Sequence, residues 1–312
     1  MPYGPPVGSP GHLLPLRALG VGDVLDGAIR ILRRGFGVVA AIIVLVYGPY
    51  QLLTSLLLDR LMPEFATQNP FGPLDQNPFG PMGQPEIDVE LLQRLVLFGG
   101  TAAIVGLLIH VLVGGAFVAA ALELDHGRTP RAGAVLRRSL QVSGGTLGAT
   151  VLTLLGAVVA GVVVILVAVL LGAALLPVGI LVGVAALPLL GAVVAALLYL
   201  VLPIAVAEES GPLRTLARAW WVLRRRFWWV LGVTALAFLM VVALTFAVQL
   251  VFMLLTLVAG PAAFVVEAVA GTLSALVSVP VTVGAALLIY QDARVRGEGY
   301  DLRARAPGQP WG

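Results

Sequence analysis

The sequence predicts an all-α protein: a polytopic transmembrane helical bundle of about six spans, arranged as three hairpins, each preceded by a basic amphipathic interfacial helix. Three observations predict it. Of 312 residues, 59% are hydrophobic and 11% charged, whereas soluble domains run at roughly 45–50% and about 25%. Several uncharged apolar runs exceed the roughly 20 residues that a helix needs to cross a bilayer. Finally, the arginines fall in blocks between alternate apolar runs.

Residues 1–20 are rich in Pro and Gly and lack a basic start followed by an apolar core and a small-residue cleavage site. They are expected to form a disordered cytoplasmic tail and not a cleaved signal peptide. The membrane domain is expected over 21–304, with a short disordered tail at 305–312. Its first span is 36–58 and its second 95–122, with an outer loop over 59–93. From Thr146 to Ala207 no residue is charged for 62 positions. As one helix this would measure about 93 Å at 1.5 Å per residue, about three hydrocarbon thicknesses, so the chain has to fold back. Gly172 to Gly179, around Pro177, is the expected turn, giving spans 146–173 and 179–204. Between Phe227 and Tyr290 the only charge is Glu267, and Gly260-Pro261 divides the stretch into spans 228–258 and 264–290.

Orientation follows from the arginines. Seventeen lie before span one, between spans two and three, between four and five, or after six, and two, Arg60 and Arg94, lie on the other side. The positive-inside rule makes the arginine-rich side cytoplasmic, with both termini inside. All 19 basic residues are Arg, and Ala, Gly, Val, Leu and Pro are heavily used, as expected of a GC-rich bacterial genome and hence of a bacterial plasma membrane.

The segments before the odd-numbered spans show helical periodicity. Leu25, Ala28, Ile29, Leu32 and Phe36 form one stripe, with Asp23, Asp26, Arg30, Arg33 and Arg34 opposite. Leu213, Leu216, Trp220, Leu223 and Phe227 form another, opposite Arg214, Arg218 and Arg225. The middle segment, Ala132 to Leu140, is shorter and less regular. Each is read as an interfacial helix, with a straight extension of the following span as the alternative. Trp220, Trp221, Trp228 and Trp229 around Arg224, Arg225 and Arg226 supply an aromatic belt. Membrane lipids are the expected partners, with anionic headgroups held by Arg30, Arg33, Arg34, Arg137, Arg138, Arg218, Arg224, Arg225 and Arg226 at roughly 1 kcal/mol per residue. A protein partner is left open, and nothing points to nucleic acid.

The outer loop carries a near-duplicate, Gln68-Asn69-Pro70-Phe71-Gly72-Pro73 and Gln76-Asn77-Pro78-Phe79-Gly80-Pro81. It reads as a Pro-rich loop expanded by duplication, with a recognition segment presenting two Phe residues as the alternative.

Catalytic candidates are sparse. Ionisable groups inside a bilayer are costly and mark function when present, yet the spans hold only His110 and Glu267, with Gln51 and Gln249 as uncharged polar groups. These four are the candidate intramembrane polar site. His110 reads first as a neutral imidazole bonded between helices, and Glu267 as a solvated group near the outer interface. Tyr47-Gly48-Pro49-Tyr50 and Pro280 are candidate kinks. Gly179 with Gly183, and Gly156 with Ala160, are small-residue pairs suited to close helix approach. Glu123, Asp125 and His126 lack a second His at ligand spacing and read as a solvated loop. With no cysteine, phosphate-binding glycine loop, G-x-S-x-G or H-E-x-x-H, no enzyme, metal or cofactor is expected.

Four segments carry a family likeness: Leu16-Arg-Ala-Leu-Gly-Val-Gly-Asp-Val-Leu-Asp-Gly-Ala-Ile-Arg30; Gly127-Arg-Thr-Pro130; Gly211-Pro-Leu-Arg-Thr-Leu-Ala-Arg-Ala-Trp220 with Arg224-Arg-Arg-Phe-Trp228; and Leu288-Ile-Tyr-Gln-Asp-Ala-Arg-Val-Arg-Gly-Glu-Gly-Tyr-Asp-Leu302. In this order they resemble the uncharacterised actinobacterial six-span membrane proteins related to the membrane domain of glycerophosphoryl diester phosphodiesterases. The resemblance implies architecture and no activity, because no segment is long and polar enough to form the phosphodiesterase's catalytic barrel. The expected function is a non-enzymatic scaffold, lipid-organising element or partner subunit. The alternative is a transporter or permease-like protein for an apolar or lipidic substrate, with a cavity lined by spans one, two and six near Tyr47, His110 and Ser278.

Overall fold

The computed structural model describes residues 19–61 and 89–298. The terminal tails and nearly all of the outer loop, including its duplicated segment, lie outside the described residues. The described chain is helical almost throughout: α1 Val21–Leu61, α2 Val89–Asp125, α3 Ala132–Ala174, α4 Leu176–Glu208, α5 Pro212–Arg225, α6 Phe227–Ala259 and α7 Ala263–Glu298. Five apolar helical stretches are long enough to cross a membrane, the last running from Phe227 to Glu298 across a short 3-10 turn at Gly260–Ala262. The chain is a multi-pass membrane protein.

The breaks follow local chemistry. Leu175 leaves the helical region at φ −146°, ψ 94°, and Pro177, which has no N–H to contribute, opens α4. Gly260 sits at φ +51°, a conformation that favours glycine, and Pro261 follows it. Asp23 accepts the Gly20 N–H at 2.9 Å at the start of α1, satisfying one of the donors a helix N-terminus leaves open.

Helices α3 and α4 run back along each other, so residues on either side of the Leu175 turn meet in register: Gly172 with Gly179, Ala168 with Gly183, and Gly161 with Leu190. Likewise Tyr50 of α1 donates to the Ala102 carbonyl of α2 at 2.9 Å, and nearer the arginine-rich end Gly35 faces Leu124. Helix α1 lies along α7, and α6 packs against α7. The densest core sits in the arginine-rich half, built from Val113–Ala121 of α2, Leu200–Val206 of α4 and Val281–Gln291 of α7. Toward the opposite end, α3, α4 and α6 leave large apolar side chains exposed, among them Leu170, Leu181 and Leu257.

Two corrections concern the amphipathic segments. The first and second are continuous with their spans inside α1 and α3, where the helix runs unbroken through Gly35-Phe36-Gly37 and through Gly144-Gly145. Only α5 is separate, ended by Arg226 at φ −138°, ψ 47°. The predicted stripes coincide only in part with the faces that the protein buries: Ala28 and Leu223 belong to both. In α1 it buries Val24, Ala28, Ile31 and Gly35, while Ile29 and Phe36 are exposed. In α5 it buries Thr215, Ala219, Val222 and Leu223, while Leu213 (74% exposed) and Trp220 (49%) face outward. In lipid the large apolar residues have no solvent reason to turn inward, so burial does not follow size: Ala28, Gly35 and Ala219 pack inside together with Ile31 and Leu223.

Candidate functional site

An apolar cavity of about 480 Å³ lies in the arginine-rich half, among α2, α3, α4, α6 and α7. That volume falls within the roughly 300–1,000 Å³ of ligand pockets. Its wall is almost entirely apolar, interrupted by His110, Thr146, Thr150, Tyr199, Thr234 and Thr282. Ala192 and Ala195 of α4, with Ala235 and Phe238 of α6, line it and are exposed, so the cavity opens sideways between two helices that make little contact. No charged side chain lines it.

The polar groups differ in how they are satisfied. Thr146 Oγ1 donates to the Val142 carbonyl at 3.1 Å, and His110 Nδ1 lies 3.4 Å from the Tyr47 hydroxyl. Thr234 Oγ1 and Tyr199 Oη are buried without a hydrogen-bond partner, and Thr234 is only 8% exposed. Buried polar atoms are nearly always paired, and an unpaired one costs about 1–3 kcal/mol.

Beyond the cavity, toward the helix ends, is a charged cluster. Asp292 of α7, 1% exposed, accepts the Leu19 N–H at 2.7 Å, Arg226 at 2.9 Å and Arg296 at 2.9 Å. Glu208 of α4 accepts the Tyr290 hydroxyl at 2.6 Å and Arg218 at 2.9 Å, and Arg218 also pairs with Glu298. Burial works to lower the Arg218 pKa, but its hydrogen bond to Glu298 and the charges of Glu298 and Glu208 hold it above its ordinary value. Trp221 is stacked between Arg218 and Arg225 at 4.4 and 4.3 Å, and Arg226 covers Trp229 at 4.4 Å. Gly297 leaves room for the Trp221 ring, which a Cβ would meet at 2.7 Å.

Comparison with family models, curated proteins and solved structures finds no match.

The structure separates the four predicted intramembrane polar residues. His110 lines the cavity. Gln51 packs on Gly271, where a Cβ would meet its Nε2 at 2.6 Å. Glu267 is exposed, within electrostatic reach of Asp59 at the outer end of α1. Gln249 is exposed on α6. The cavity expected near Tyr47, His110 and Ser278 is displaced: it keeps His110 but is lined by α2 to α4 with α6 and α7, and neither Tyr47 nor Ser278 is among its lining residues.

The predicted headgroup arginines also divide. Arg30 pairs with Asp26 at 2.5 Å and Arg138 with Glu209 at 3.0 Å, while Arg218 and Arg226 hold carboxylates of the cluster. Arg225 stacks on Trp221, and Arg33, Arg34, Arg137 and Arg224 are exposed. Arg128 is taken by Glu123 at 2.7 Å, and no group of three metal-ligating residues occurs among the described residues. Sequence reasoning passed over Asp292 and Glu208, since a carboxylate at the arginine-rich end of a span carries no sign of burial. The threonines and Tyr199 did carry a signal, as hydroxyls recurring in otherwise apolar spans.

Proposed function

We propose that the protein is a non-enzymatic bacterial plasma-membrane protein that takes a lipid or other apolar molecule from the bilayer into the lateral cavity between α4 and α6. The observation that supports this reading most is that opening: an uncharged apolar cavity whose mouth is formed by exposed Ala192, Ala195, Ala235 and Phe238. Such a site excludes hydrated solutes and admits a hydrocarbon chain directly from the membrane. It joins the lipid-organising reading to the transporter reading, since both need a lipid held in the protein.

In this reading both termini are cytoplasmic, and six spans form three hairpins, α1–α2, α3–α4 and α6–α7. The outward apolar residues of α5, Leu213 and Trp220, lie against the headgroup boundary, with Ile29 and Phe36 of α1 doing the same. Exposed Arg33, Arg34, Arg137 and Arg224 hold anionic headgroups there. The resemblance to the six-span relatives of phosphodiesterase membrane domains fits this arrangement and stays part of the proposal.

Native mass spectrometry of protein extracted gently from its own membrane is expected to show one lipid-sized adduct per chain. Ala192→Trp combined with Ala195→Trp, which narrows the mouth, should remove it; an unchanged adduct in this variant would sink the cavity reading. Separately, replacing Arg33, Arg34 and Arg224 together by Ala should lower binding of detergent-freed protein to anionic liposomes by about a hundredfold at low salt, given roughly 1 kcal/mol per arginine, and by less as added salt screens the charges. Arg226→Ala should instead lower thermal stability.

A further inference from the structure

We infer that the ligand of this cavity is a neutral amphiphile, a hydrocarbon chain ending in a hydroxyl or ester group, which hydrogen-bonds to Tyr199 and Thr234. The inference rests on the proposed lateral lipid site and names its substrate class. Three observations carry it. The cavity has no charged lining residue, so a phosphate or carboxylate drawn inside would meet no counter-charge in a medium of low polarity. Tyr199 and Thr234 line the cavity, and their hydroxyl oxygens have almost no accessible surface and no hydrogen-bond partner, so turning toward a ligand breaks no existing bond. A purely hydrocarbon occupant would leave both unsatisfied, whereas a polar end bearing hydroxyl and ester oxygens can supply each with a partner.

Depth gives the third observation. Thr234 is five residues along α6 from Trp229, or about 8 Å at 1.5 Å per residue, and Tyr199 is nine residues along α4 from Glu208, or about 14 Å. The polar pair therefore lies well inward of the belt formed by Trp229 and the arginines. A phospholipid keeps its headgroup at the belt and would bring only tails to this depth. A single hydroxyl or ester, far less costly to dehydrate, can follow its chain inside.

The test uses delipidated full-length protein titrated with monoolein and read by native mass spectrometry, with hexadecane and phosphatidylglycerol as competitors. Tyr199→Phe with Thr234→Val preserves shape and removes both hydroxyls. Monoolein affinity is expected to fall by about tenfold in this variant, two hydrogen bonds being lost. The ligand-free variant is expected to melt above the wild type, because two unpaired buried hydroxyls are gone; a fold defect would move melting the other way. Equal monoolein binding by variant and wild type, or equal displacement by hexadecane, would overturn the neutral-amphiphile inference and leave an apolar slot. Preferential binding of phosphatidylglycerol would overturn it in favour of an anionic ligand. If no probe binds and the Ala192→Trp, Ala195→Trp variant keeps its native adduct, the lateral-site reading falls as well.

Discussion

Asp292→Ala is expected to destabilise the protein by about 3 kcal/mol, the cost of removing one partner from a buried ion pair. The carboxylate is 1% exposed and serves three donors from separate parts of the chain: the Leu19 backbone, Arg226 between α5 and α6, and Arg296 one turn further along α7. Without it the Leu19 N–H loses its acceptor, and two guanidiniums that are 33% and 41% exposed must seek water or lipid phosphate. Their partial exposure keeps the cost at the lower end of the range for buried pairs. Arg296→Ala should cost less, about 1 kcal/mol, because Asp292 keeps Arg226 and the backbone donor. Thermal unfolding in detergent, followed by tryptophan fluorescence, checks both. Trp229 lies under Arg226 at 4.4 Å and reports the loss locally. Equal melting temperatures for Asp292→Ala and the wild type would mean that this cluster is decoration on a fold held by apolar packing alone.

The cluster also shows where sequence reading reaches and where it stops. Helix breaks were legible: Pro177 and Gly260-Pro261 act through backbone chemistry that any environment respects, and the chain bends at Leu175 and at Gly260–Ala262. Helix faces were not. Periodicity finds a stripe in α5 but does not say whether protein or lipid covers it. In water all of the stripe would be buried; here Leu213 and Trp220 face out while Leu223 is buried with Thr215 and Ala219. Ala28 packs so closely on Gly284 that a Cβ added there would come within 3.1 Å of its own, a small-on-small contact between α1 and α7. His110 was legible as a polar group in a span, but its cavity neighbours come from α3, α4, α6 and α7, and no spacing within one helix encodes that meeting.

The largest packing effect is expected at Gly179, and two other glycines serve as its controls. A Cβ there would overlap the Gly172 backbone and the Ala168 carbonyl oxygen. Neither is a flexible side-chain tip, so α4 has to move bodily from α3, and the adjacent one-residue turn at Leu175 leaves no slack to absorb the shift. Overpacking of this kind typically costs about 1–3 kcal/mol; Gly179→Ala is placed at the upper end because both collisions are with main chain. Gly183 and Gly156 are equally conspicuous in the sequence but differ in surroundings. A Cβ at Gly183 would make ordinary contact with Ala168 at 3.7 Å, and one at Gly156 would meet nothing within 4 Å. Gly156→Ala should therefore stabilise α3 by up to about 1 kcal/mol through helix propensity, and Gly183→Ala should be close to neutral. Measured by reversible unfolding in mixed micelles, the order Gly179→Ala far below wild type, Gly183→Ala near it and Gly156→Ala at or above it would tie stability to helix approach at one point. Three equal losses would instead mean that glycine is needed along these helices for flexibility, and that the close contact of Gly172 with Gly179 does not hold α3 against α4.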